Sequence, residues 1–336
     1  MKIYLHIGYH KTGSSFLQMM LSRNRNLLLE NRIYYPMAKR DKDAKEGKIS
    51  PGNGVQLALA ISNQSNNEFF QILLGWIEEA RKNSCSTLLI SSEGLFHSLA
   101  NNEYSKLFKE LKKKTEISEI RGLIFIRDPM DHILSLYKHR GKRGAIENFT
   151  DWVENDYETL YLTEKFIVKT KSDEIIWTYR KYKNDSKFMA ECLFLNWLEI
   201  ETPEIPEKDK VNTSLTLSEI LVLRELNKVT DKEAVLYLQL EFSKMNVEDK
   251  APDGYLKDYY RKQLDNWFLG NSKIIQSINQ VLSAEEKLII YHANYGTFKD
   301  EIISLTSNQV NKMILNRKKK MILLSKLIKR IKSKIE

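Results

Sequence analysis

The sequence predicts an α/β protein: a parallel sheet flanked by helices, followed by a mostly helical C-terminal extension. Three observations predict it. Up to about residue 198, short apolar runs of strand length alternate with segments of helical periodicity. Polar, glycine-containing clusters follow those runs, as expected at the carboxyl ends of parallel strands, where ligands bind. After Pro206 the strand-like runs stop and helical spacing continues alone. With 13 Gly and 6 Pro in 336 residues, turn residues are too sparse for an all-β fold.

Taken in order, residues 3–7 (Ile-Tyr-Leu-His-Ile) read as a first buried strand, and residues 8–15 as a polar glycine loop. Phe16, Leu17, Met20 and Leu21 then recur at helical spacing. Residues 33–35 before Pro36 are a candidate short strand, and residues 38–54, polar and charged, are expected to be a surface loop. Residues 55–61 and 69–80 have helical spacing; residues 87–91 read as a strand ending at Ser92-Glu93-Gly94; residues 104–114 read as an amphipathic helix. Another strand, residues 122–126, ends at Arg127-Asp128-Pro129, and residues 130–139 continue as a helix with Pro129 at its first turn. Residues 174–182 are expected to be a strand and 188–198 a helix. Beyond them, residues 216–227, 232–242, 255–268, 274–282 and 310–335 read as helices. The expected division is a core over residues 1–210 and a helical extension over 211–336.

Composition narrows the function classes. An apolar fraction of 42%, with 16 Tyr and 13 Phe, supplies a sizeable core. The formal net charge of +9 favours anionic partners. Much of it sits in Lys318, Lys319, Lys320, Lys326, Lys329, Arg330, Lys332 and Lys334, interleaved with Met321, Leu324, Leu327, Ile328 and Ile331. That segment reads as a basic amphipathic helix, which either packs on the core or lies against an anionic membrane surface. Two isolated cysteines, Cys85 and Cys192, give neither a disulfide framework nor a zinc site. No run is long and apolar enough to span a bilayer, and the N-terminus lacks a signal-peptide core, so a cytoplasmic location is expected, peripheral to the inner membrane surface if the tail binds lipid.

The chemistry is concentrated in Gly8-Tyr9-His10-Lys11-Thr12-Gly13-Ser14-Ser15. A glycine loop between strand and helix aims backbone N–H groups at an anion, and the helix dipole adds attraction. Lys11 supplies a cation, and Ser14 and Ser15 supply hydroxyls. The Walker pattern requires lysine directly after its last glycine; here lysine precedes Gly13 by two residues.

Lys11-Thr12-Gly13-Ser14-Ser15 after a strand resembles the 5′-phosphosulfate loop of sulfotransferases that use 3′-phosphoadenosine 5′-phosphosulfate (PAPS). The longer stretch from His6 to Gln18 is similar to bacterial sulfotransferases acting on capsule or lipopolysaccharide-type surface glycans. The resemblance implies a P-loop-like core, and a cofactor site formed by His10, Lys11, Thr12, Gly13, Ser14 and Ser15. Arg127 at a strand end and Ser135 two turns into the next helix resemble the family's 3′-phosphate site, where arginine grips bidentately. Asn212 and Ser214 precede an apolar helix, in a segment that closes over the nucleotide in such proteins; Ser214 or Thr216 would equally serve as a helix N-cap.

The resemblance implies in-line transfer of a sulfuryl group to a hydroxyl or amine, with release of 3′-phosphoadenosine 5′-phosphate (PAP) and no metal. The acceptor it suggests is a glycan, not nucleic acid. Lys11 is the expected stabiliser of the leaving phosphate, since a fixed cation there needs no reorganisation as charge develops. Glu93, a carboxylate at a strand end, is the expected general base, with His10 and His97 as alternatives. Two other readings stay open from the residues: a P-loop-type kinase or nucleoside triphosphatase, and a non-catalytic anion-binding protein.

Overall fold

The computed structural model describes residues 1–38, 40–46, 51–141, 147–171, 174–206, 215–229, 232–289 and 303–315. The chain begins with strand β1 (Lys2–Ile7), helices α1 (Ser14–Arg23) and α2 (Arg25–Glu30), β2 (Ile33–Tyr34), and α3 (Asp41–Lys45), α4 (Val55–Ser62) and α5 (Asn66–Lys82). Then come β3 (Thr87–Ser92), α6 (Gly94–Asn101), α7 (Ser105–Lys114), β4 (Glu119–Ile126), α8 (Pro129–Gly141), α9 (Phe149–Asp156), α10 (Thr159–Thr170), β5 (Ile176–Lys181) and α11 (Ser186–Leu193). The remainder is helical: α12 (Leu217–Asn227), α13 (Lys232–Lys244), α14 (Gly254–Gln263), α15 (Asp265–Gly270), α16 (Ser272–Asn279) and α17 (Ser307–Leu315), with short 3₁₀ turns at Val247–Asp249 and Ala284–Glu286. The α/β class and the helical C-terminal part are as expected.

The chain forms two compact units, each discontinuous in sequence, in place of a single division near residue 210. One comprises Met1–Pro129, Glu158–Asp209 and Lys273–Ile289; the other comprises Met130–Tyr157, Lys210–Ser272 and Ile290–Glu336.

The first unit holds a five-stranded sheet in the order β2-β3-β1-β4-β5, parallel throughout. Tyr4 of central β1 lies opposite Leu89 and Arg121. On its side of the sheet, Leu89, Leu123 and Phe125 pack with Leu17, Met20 and Leu21 of α1 and with Met189, Cys192 and Leu193 of α11. On the other side, Trp177 meets Phe166 of α10 edge-on at 4.9 Å. Trp177 also covers Gly122, where a Cβ would come within 2.1 Å of the indole. The chain leaves β1 toward one edge of the sheet and leaves β4 toward the other. Right-handed crossovers put those two connections on opposite faces, which opens a crevice at the carboxyl end of β1.

The carboxyl end of β5 is covered on its outer edge. Glu286 accepts from the Lys181 backbone N–H at 3.3 Å and from Arg180 Nε at 3.0 Å, and Lys181 Nζ donates to the Lys287 carbonyl at 2.8 Å.

The second unit is built on aromatic packing: the Phe149 ring lies 4.1 Å from Tyr260 and 5.0 Å from Tyr137. Buried Glu219, on α12, accepts from the Thr216 backbone N–H at 2.8 Å, from Lys250 at 3.2 Å and from Gln309 at 2.7 Å. Burial holds its carboxyl above the usual range, against the opposing pull of Gln309, Lys250 and the Thr216 N–H. Among the described residues no helix is long and apolar enough to cross a membrane.

Several boundaries differ from expectation for local reasons. The helix expected over residues 188–198 ends at Leu193, because Asn196 N–H reaches back to the Glu191 carbonyl and Leu198 N–H to the Leu193 carbonyl, widening the turn. Residues 255–268 divide into α14 and α15 at Leu264. The surface loop expected over residues 38–54 contains α3, and its end turns inward: Gly52, Asn53 and Gly54 are buried. Asn53 explains this, since its amide donates to the Pro36 and Leu89 carbonyls and accepts from Ser91 N–H. Helices α9 and α10 fall where no element was expected; Asn148 caps the first by accepting from Thr150 and Asp151 N–H. Of the helix expected over residues 310–335, residues 310–315 belong to α17 and the basic remainder lies outside the described residues.

Candidate anion-binding and proton-transfer site

The loop after β1 is fixed by the strands on both sides of it. Gly8 N–H donates to the Ser92 carbonyl at 2.9 Å, continuing the pairing of β1 with β3. No side chain fits at Gly8: a Cβ would stand 2.5 Å from Ser14 Oγ and 2.7 Å from Glu93 Cγ. Tyr9 is buried edge-on against Phe96 at 5.0 Å, and Thr12 Oγ1 donates back to the Tyr9 carbonyl at 2.5 Å. Lys11 and Gly13 both have left-handed backbones, with φ of 62° and 79°. For glycine this is free of steric cost; for lysine it costs about 1 kcal/mol. These two positions reverse the chain so that the Gly13 carbonyl accepts from Leu17 N–H at 3.1 Å and α1 begins. No side chain caps that helix start, so its first N–H groups face the loop. Ser14 Oγ, buried just inside the helix, has no hydrogen-bond partner.

Arg127 closes on the same loop. Its Nη1 donates to the Lys11 carbonyl at 2.8 Å, and its guanidinium lies 4.9 Å from the centre of the Tyr182 ring. Tyr182 and Met189 in turn bracket Gly13, where a Cβ would meet them at 3.2 and 3.3 Å. Burial pushes the Tyr182 phenol up, against the opposing charge of Arg127. Arg127 Nε is buried without a partner. Arg127 therefore holds the strained Lys11 backbone, a role the sequence did not suggest.

The three candidate bases meet on the other side of the loop. Glu93 occupies the N-cap position of α6 but its carboxylate does not cap the helix; it lies 3.2 Å from His10 Nδ1. A carboxylate only accepts, so Nδ1 carries the hydrogen and Nε2 is the lone-pair nitrogen of neutral His10. The His97 ring stands 5.0 Å from the His10 ring. Burial lowers the His97 pKa and nearby His10 lowers it further, while Glu158 works against them.

Of the remaining expected site residues, Ser15 is half-buried in the first turn of α1. Ser135 lies on α8, in the second unit. Asn212 and Ser214 lie outside the described residues. The N-cap of α12 is Thr216, whose side chain accepts from Glu219 N–H while the Glu219 carboxylate accepts from Thr216 N–H. Residues the sequence reading passed over are Gln18 and Ser22, buried on α1 one and two turns beyond Ser14; their four-residue spacing was the available signal. No family model, curated protein or solved structure matches this chain, so the chemistry of the site rests on its own residues.

Proposed function

We propose that this protein is a PAPS-dependent sulfotransferase acting on a hydroxyl or amine, with a glycan as the favoured acceptor. The observation that carries the reading is the uncapped start of α1 at the carboxyl end of the central strand, with a buried, unpartnered Ser14 hydroxyl and a lysine, Lys11, in the same loop. Those groups suit an anion of phosphate or sulfate geometry. When bound, the nucleotide supplies the sulfuryl group. The loop residues Lys11 to Ser15 hold its anionic end, and Lys11 stabilises negative charge on the departing phosphate. Arg127 keeps the loop in its anion-binding shape through the Lys11 carbonyl. Proton removal falls to His10, with Glu93 fixing its tautomer and orientation. This shifts Glu93 from base to orienting partner.

Calorimetric titration with PAP, with adenosine 5′-phosphate and ATP plus Mg²⁺ as controls, tests the reading. Binding that needs the 3′-phosphate is expected; preference for ATP would replace it with a nucleoside triphosphatase. For the proton-transfer pair, His10→Asn should lower turnover about 10²–10⁴-fold with PAP affinity unchanged. Glu93→Gln should have a smaller effect and shift the pH–rate profile; the reverse order of effects would return the base role to Glu93.

A further inference from the structure

Helix α1 turns a polar stripe inward. Ser14, Gln18 and Ser22 recur every four residues and are each at most 1% exposed, on the side where a helix ordinarily buries apolar groups. Opposite them, His6 Nδ1 and Ser91 Oγ share a hydrogen bond of 2.8 Å. Ser22 and Ser91 act against the upward push that burial gives the Tyr35 phenol, and Ser22 helps to hold the Asp41 carboxyl down. Asp41 also accepts from Arg25 at 2.8 and 2.9 Å. At the far end of the stripe, His6, Ser91, Arg25 and Asp41 thus have protein partners.

The near end, beside the loop, is different. Gln18 Nε2, Gln18 Oε1 and Ser14 Oγ are buried without a partner. The backbone at Gly52 seals Gln18 from above: a Cβ there would stand 2.7 Å from Gln18 Nε2 and 2.0 Å from the Ser91 carbonyl. A small group that both donates and accepts would complete these atoms. Water has those properties when two to four polar partners surround it.

We propose that a buried water bridges the Gln18 carboxamide and the Ser14 hydroxyl, and that through it Gln18 is a positioning residue for the anion-binding loop. The water accepts from Gln18 Nε2 and donates a hydrogen to Ser14 Oγ. Ser14, its oxygen so engaged, turns its own hydrogen toward the bound anion. The inference rests on the loop binding an anion and not on which nucleotide carries it.

The test has two arms. A high-resolution crystal structure of the unliganded parent should show ordered water within hydrogen-bond distance of Gln18 and Ser14; a dry amide, or one bonded directly to protein, overturns the inference outright. In the second arm, the probe is inorganic pyrophosphate. Gln18→Leu should weaken its binding about tenfold, as expected for loss of one well-directed hydrogen bond to a charged group, with the melting temperature held within a few degrees. Ser14→Ala should do the same, and the double variant should lose no more than either single. Additive losses, or no pyrophosphate binding by the parent, would remove the positioning role. Because pyrophosphate carries no adenosine, failure here is separable from failure of the PAP titration.

Discussion

Two buried polar clusters in this molecule have opposite bookkeeping. In the second unit, Glu219, Lys250, Gln309 and the Thr216 backbone satisfy one another. In the first, Ser14 Oγ, both amide atoms of Gln18 and Arg127 Nε are buried with no protein partner. A buried polar group left unpaired costs roughly 1–3 kcal/mol, and four such atoms gather around this one loop. The closed cluster ties chain segments together; the open one surrounds a loop that carries a cation, two left-handed residues and an uncapped helix start. Polar burial alone therefore does not single out the proposed site; what distinguishes that site is unpaired groups beside the start of a helix.

The contrast can be broken or sharpened by measurement. Lys250→Met should give the largest effect, about 3–5 kcal/mol of lost stability, because it strands a buried carboxylate. Urea unfolding measures this, and a loss below about 1 kcal/mol would mean that the closed cluster ties little together.

Next comes His6, whose pKa burial pushes down from its ordinary 6.5 to about 4. Between those values the unfolded chain binds a proton that the folded chain excludes. Stability should fall by roughly 3 kcal/mol as pH drops from 6.5 to 4, and His6 should contribute no slope above 6.5. Comparing unfolding of the parent and His6→Gln across this range isolates the term; parallel slopes would show that His6 does not carry it.

The smallest effect on stability belongs to Ser14→Ala, within about 1 kcal/mol, accompanied by weakened binding of PAP. If Ser14→Ala destabilises as much as Lys250→Met, the two clusters do not differ in kind.

Much of the fold was legible because its signals are local. The runs at residues 3–7, 87–91 and 122–126 are apolar, of strand length and followed by polar clusters, and all three lie within strands. The loop was legible because Gly8, Lys11, Gly13 and Ser14 fall within seven residues. What stayed hidden depends on contacts between distant segments. His10 and Glu93 are 83 residues apart and meet because β1 pairs with β3. Gln18 was passed over in the sequence; Gly52, brought over it by the hydrogen bonds of Asn53, covers it. Leu193, Phe194, Trp197 and Leu198 have helical spacing and are all buried, yet the backbone leaves the helix after Leu193. Periodicity records which residues are inside and not always the path that puts them there.

The cover over β5 has a consequence for the order in which this protein is made. Strand β5 is complete once Lys181 has been synthesised, but Glu286 and Lys287 arrive about a hundred residues later. At 5–20 residues per second that delay lasts roughly 5–20 s. During it, the carboxyl end of the nascent sheet's edge strand lacks its cover, the kind of surface that pairs with other chains. A fragment stopped at residue 210, where the sequence invites a boundary, would lack that cover permanently. It should aggregate more readily than the full chain, which would make the last residues of the sheet's own unit a safeguard that translation delivers late.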